Sequence, residues 1–125
     1  MTDAELHAQR LDGQVVLSVH GEIDLENAGR ARERIVRAVP SGAQGIVLDL
    51  TNVSHLDSAG VRLLFDLAAR LDERRHDLAI VVARDSLLRE VVDVVRLDRV
   101  ATVVDTVDEA LRLPARPPER GTAVP

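Results

Sequence analysis

Apolar and polar residues along this chain change period several times, and each change marks an element. Residues 5–21, ELHAQRLDGQVVLSVHG, hold two short runs joined at Asp12-Gly13, a residue pair that favours tight turns, and so predict an antiparallel hairpin. From Asp24 to Val39 the period lengthens. Leu25, Ala28, Ala31, Ile35 and Ala38/Val39 recur one helical turn apart, with Asp24 placed to cap the first turn. Pro40-Ser41-Gly42 ends that helix, and GIVLDL at 45–50 is apolar enough for the middle of a sheet. After a loop at 51–58, TNVSHLDS, a second helix runs through about Glu73. LAIVVA at 78–83 reads as another buried strand. DSLLREVVDVVRL at 85–97 then forms a third helix capped by Asp85 or Ser86, and VATVVD at 100–105 a last short strand. Thr106 and Glu109 make a T-x-x-E capping box that opens VDEALRL.

Strands alternating with helices in this order predict an α/β fold. The expected sheet is five-stranded and mostly parallel, with an antiparallel N-terminal hairpin strand and four helices. Residues 1–113 form one domain. Residues 114–125 hold four of the five prolines and are expected to be a disordered tail. In such sheets the functional loops gather at the carboxyl ends of the parallel strands. HGEIDLE and TNVSHLDSAG are therefore expected at one end, bringing Asp24 close to Ser58.

Composition removes several chemistries. All 16 positive side chains are arginine, so a Schiff-base or phosphate-loop lysine is excluded. Without cysteine there is no disulfide, thiolate nucleophile or cysteine metal site. His7, His20, His55 and His76 lack metal-binding spacing, and no metal or other cofactor is expected. Phe65 is the only aromatic residue, net charge is −5, and the arginines are interleaved with acids; nucleic acid is an unsuitable partner. No stretch has the length of a membrane span or a signal-peptide core, so a soluble, cytoplasmic protein is expected, without membrane attachment.

The remaining chemistry concentrates at SHLDSAGVRL, residues 54–63. Asp57 or Ser58 alone would cap the second helix, an effect of about 0.5–2 kcal/mol. A nucleophilic serine requires a base held by a third group. His55 and Asp57 are too close in sequence to orient independently, His20 is not specified as a base, and D-S-A-G is not a hydrolase elbow. Gly60 in a first turn is unfavourable by up to about 1 kcal/mol relative to alanine, and is read as giving another molecule room to approach the hydroxyl. Along the helix Arg62, Asp66, Arg70 and Glu73 form a narrow polar strip. The apolar arc of roughly 240° exceeds what one core face needs. Most of the excess is assigned to neighbouring helices and the rest to a docking surface beside Ser58.

GEID at 21–24, IVLDLTNVSHLDSAGVRLL at 46–64 and LREVVDVVRLDRVATVVDTVDEAL at 88–111 resemble the STAS domain of bacterial anti-sigma factor antagonists. The resemblance covers about residues 4–112 and implies a STAS fold. It also implies that the chain is not an enzyme but the substrate of one. Ser58 corresponds to the serine phosphorylated by the anti-sigma factor, an ATP-using Ser/Thr kinase that is also the binding partner. The unphosphorylated antagonist captures that partner and frees a sigma factor; phosphorylation releases it, and a phosphoserine phosphatase resets it. Asp24 corresponds to the residue associated with binding and phosphoryl transfer. Glu22, Asp57, Ala59, Gly60 and Arg62 complete the expected partner-binding set. Departures from the family pattern are Ala59, where a second hydroxyl residue is common; His55, where an apolar or aromatic one is; and Arg96, where glycine is. The alternative is a non-switching STAS scaffold in a stress-signalling or lipid-transport complex, with Ser58 as a cap.

Overall fold

A computed structural model describes residues 4–11 and 13–114. The expected tail from residue 115 onward lies outside the described residues, as does Asp12 of the expected turn. Gly13 has φ 84°, a left-handed conformation that glycine adopts without a Cβ penalty. It separates β1 (Glu5–Leu11) from β2 (Gln14–Ile23), which pair antiparallel.

There follow α1 (Ala28–Ala38), β3 (Gly45–Leu56), α2 (Ser58–Glu73), β4 (Asp77–Val81), α3 (Leu87–Val94), β5 (Thr102–Val104) and α4 (Val107–Leu111). The strands form one sheet in the order β1-β2-β3-β4-β5, parallel from β2 onward, as the alternation of elements predicts. Register aligns Leu17, Leu48, Ile80 and Val103 across the sheet. These residues face a core shared with Ala31 and Ile35 of α1, Leu64, Leu67 and Leu71 of α2, and Val92 of α3. On the opposite face Val16, Val47, Ala79 and Val81 pack under α4 through Ala110. Three helices therefore cover one face and a single short helix covers part of the other. The wide apolar arc of α2 is accounted for mainly inside: Val61 and Phe65 are half-buried against the same core.

Four elements depart from expectation, the first being α1, which begins at Ala28 and leaves Leu25 exposed outside it. β3 does not end at Leu50 but continues to Leu56, paired with β2 alone. Its register slips between Ser18 and His20 and again between Gly21 and Glu22, where β3 supplies an extra residue each time. These bulges convert the alternating pattern into one inward residue in three, namely Leu50, Val53 and Leu56. The third helix stops at Val94 rather than Leu97. Arg96 lies at φ 59°, the left-handed conformation for which glycine is suited, and a short 3-10 turn (Leu97–Arg99) follows. Its guanidinium meets Asp98 through Nε at 3.2 Å. The fourth helix is capped by Thr106 as expected, but Glu109 reaches back to the Asp105 N–H rather than to that of the cap residue.

Candidate functional site

The parallel register ends with Ile23 opposite Leu56, so the chain leaves β2 and β3 side by side. The two loops singled out in the sequence therefore begin together. The Asp57 N–H donates to Ile23 O at 3.3 Å, and the Leu25 N–H donates to Asp57 Oδ2 at 3.1 Å. A single aspartate joins the GEID segment to the start of α2.

Asp57 is also the helix cap. Its Oδ1 accepts from the N–H groups of Ala59 (2.9 Å) and Gly60 (3.1 Å), two donors that the first turn leaves without partners. The Gly60 bond is the largest influence holding the Asp57 carboxyl below its ordinary pKa, with Leu25, Ala59 and the charge of His55 acting in the same direction. Ser58 is thus the first helical residue rather than the cap. It is exposed, and its hydroxyl takes part in no hydrogen bond among the described residues.

Gly60 has an inward role. It is buried, and a Cβ there would overlap Leu56 Cδ1 while lying 2.9 Å from Leu56 Cγ and 3.1 Å from Ile23 O. The glycine lets α2 start directly against the ends of β2 and β3. This replaces the outward role expected of it, which was to open a path to the hydroxyl.

Asp24 was expected to cap α1, but acts one turn earlier. Its Oδ1 accepts from the Glu26 and Asn27 N–H groups at 3.0 and 3.1 Å and shapes the turn that leads into the helix at Ala28. Asn27, which the sequence reading missed, is 2 % exposed and locks this turn. Its Oδ1 accepts from the Asp24 N–H at 3.0 Å and its Nδ2 donates to Glu22 O at 2.7 Å. The signal available in the sequence was an amide residue just before the helix, at a position that favours Asn or Asp. Glu22 itself is exposed and stands beside His55 in the register.

Beside Ser58 a groove of about 420 Å³ runs between α1 and α2. Its polar lining is Ser58, Arg62, Asp66 and Arg32, and Leu25, Ala28 and Ala59 contribute apolar surface. Leu25 is 81 % exposed. The apolar surface expected next to Ser58 thus comes from Leu25 of the GEID loop and Ala28 of α1 as well as from Ala59 of α2. His20 is placed elsewhere, on the open sheet face with its ring 5.1 Å from that of His7. His76 is buried, with Nδ1 2.6 Å from Ala43 O. Among the described residues no group of three or more His, Cys, Asp or Glu is arranged to hold a metal, and no helix is long and apolar enough to cross a membrane.

The family model of the STAS domain matches residues 5–110. The chain belongs to the STAS domain family. Over 101 residues this STAS domain is 34% identical to the anti-sigma-F factor antagonist RsfB of Mycobacterium tuberculosis, covering 80% of each chain. It is also similar to the crystal structure of an anti-sigma factor antagonist from Mycobacterium paratuberculosis. That match has TM-score 0.77 and 27% identity, over 87% of this chain and 92% of the other. The phosphorylated form of the Bacillus cell fate determinant SpoIIAA shares the fold, with TM-score 0.61 and 23% identity, over 86% of this chain and 96% of that one.

Proposed function

We propose that this STAS domain is an anti-sigma factor antagonist working in the cytoplasm, and that Ser58 is its phosphoacceptor. In this reading the unphosphorylated chain captures an anti-sigma factor and so frees a sigma factor. The anti-sigma factor is itself an ATP-using kinase. Ser58 Oγ attacks the γ-phosphorus of ATP, the new O–P bond replaces the bond to the β-phosphate oxygen, ADP leaves, and a base takes the hydroxyl proton. The phosphorylated chain then dissociates, and a phosphatase hydrolyses the ester. The catalytic groups belong to the partners, and this chain supplies the acceptor and the docking surface.

One observation carries the proposal: Asp57 caps α2, so the adjacent serine is exposed with its hydroxyl uncommitted. A serine in the cap position would be engaged by the first-turn N–H groups, as Ser86 is at α3. In this reading Asp24 and Glu22 on the neighbouring loop and Ala59 and Arg62 on α2 form the docking rim; in support, Leu25, Ala59 and Arg62 line the groove that Ser58 also lines. Gly60 supports that rim from below. Release follows from charge. A phosphoserine adds about −1.5 to −2 charges, placed next to an Asp57 carboxylate held ionised. An interface fitted to a neutral hydroxyl would then bury an unpaired charge at a cost of several kcal/mol, and each 1.4 kcal/mol or so changes affinity tenfold.

The test compares two variants against the anti-sigma partner in the presence of ATP. Ser58→Ala is expected to bind and stay bound, whereas Ser58→Asp is expected to bind at least about tenfold more weakly. Equal binding by both variants and by wild type would overturn the switch and favour a scaffold role.

A further inference from the structure

Asp57 changes what a phosphate on Ser58 can reach. The Ala59 and Gly60 N–H groups, the usual anion ligands of a helix start, are already bonded to Asp57 Oδ1, and the Val61 N–H is bonded to Asp57 O at 3.0 Å. An unused counter-charge lies on the next turn. Ser58, Arg62, Asp66 and Arg70 stand four residues apart on one strip of α2. Positions four apart on a helix are neighbours, and an anion N-terminal to a cation is the favourable order. Arg62 is exposed and takes part in no ion pair or hydrogen bond among the described residues.

Across the groove is a second guanidinium. Arg32 of α1 meets Asp66 only loosely, with Nη1 3.7 Å from Oδ2, beyond hydrogen-bond length, and its buried Nε has no partner. Ser58, Arg62 and Arg32 line the same 420 Å³ space. Unphosphorylated, the strip reads neutral, plus, minus, plus. With phosphate on Ser58 it becomes an unbroken alternation of charge.

We propose that the Ser58 phosphate is held within the chain by Arg62, with Arg32 closing over it from α1, and that this latch withdraws both guanidiniums from the docking surface. The idea rests on the reading of Ser58 as phosphoacceptor. Phosphorylation then acts twice on the partner: it adds negative charge at the rim and removes the positive charge beside it. The acidic neighbour Asp57 opposes the latch, so its signature is a difference between variants and not an absolute value.

Phosphoserine is installed at position 58 of the full chain by genetic encoding, and the phosphate is titrated by phosphorus NMR. An unperturbed second pKa lies near 6. Arg62→Gln, which keeps length and polarity, is expected to raise the value found in the otherwise native chain by about 0.3 pH units or more. Arg62→Lys should raise it less, and Arg32→Ala should raise it by a smaller step. Arg37→Ala, an exposed change in the last turn of α1 next to Glu33, should leave it unmoved. An Arg62→Gln titration that overlays that of Arg37→Ala overturns the latch. Because the phosphate is installed directly, the result is independent of any kinase. Failure of the anti-sigma partner to phosphorylate the native chain would instead overturn the proposed function and leave the titration to be judged on its own.

Discussion

The dipeptide Asp-Ser occurs twice in this protein, each time where a helix begins after a parallel strand: Asp57-Ser58 at α2 and Asp85-Ser86 at α3. The two pairs are used in opposite ways. At α3 the serine caps: Ser86 Oγ accepts from the Arg89 N–H at 3.1 Å and donates to Ala83 O at 2.9 Å. At α2 the aspartate caps, and the serine moves one place into the helix. The first helical residue faces water in both cases, as exposed Ser58 in one and Leu87, 80 % exposed, in the other. A shift of one residue thus decides whether a hydroxyl is consumed by the fold or offered to another protein. Gly60 fixes the shift at α2, because it lets the helix begin tight against Leu56 and Ile23.

The largest structural effect should come from filling that contact. Gly60→Ala adds a Cβ into Leu56, and overpacking costs about 1–3 kcal/mol, more than the gain of up to about 1 kcal/mol in helix propensity. Urea unfolding should show a net loss, and a neutral result would mean that glycine does not set the register. Next come the caps. Ser86→Ala should cost about 1 kcal/mol. Asp57→Ala should cost more than Ser86→Ala, since three N–H donors lose their acceptor rather than one. Ser58→Ala and Asp85→Ala, the uncommitted partners in each pair, should stay within about 0.5 kcal/mol of wild type. Reversal of the order within either pair would break the comparison.

Acid separates the two caps more gently. Asp57 is held below its ordinary pKa in the folded chain, so its stabilisation is complete above the unfolded value of about 3.9 and fades as pH falls through the lower folded value. The difference in thermal stability between wild type and Asp57→Ala should therefore shrink from pH 6 toward pH 3. Ser86 does not ionise, and the corresponding difference for Ser86→Ala should hold steady over the same range.

Most of the fold was legible in the residue pattern because the buried strands and amphipathic helices each follow a simple period. Reading failed where the period was altered locally. Leu50, Val53 and Leu56 recur at an interval of three because two bulges interrupt β3, and no strand template contains that interval. Arginine as a residue type does not signal the left-handed helix end at position 96; the hint lay in the resemblance, where glycine is common at that place. At the site, the meeting of the GEID and DSAG loops followed from strand order alone. Which member of Asp57-Ser58 caps the helix did not, because both residue types suit that role and the choice depends on packing beneath Gly60. Asn27 was passed over for a similar reason: its burial is a property of the loop, not of its own sequence neighbourhood.

Ser58 is offered to another protein, and Ser86 is consumed by the fold. The direct measurement is to incubate the chain with ATP and its anti-sigma kinase, weigh the intact product and map the phosphate by peptide mass spectrometry. A single phosphate is expected, on Ser58 and absent from Ser58→Ala. Phosphate on Ser86, or its persistence in Ser58→Ala, would contradict it.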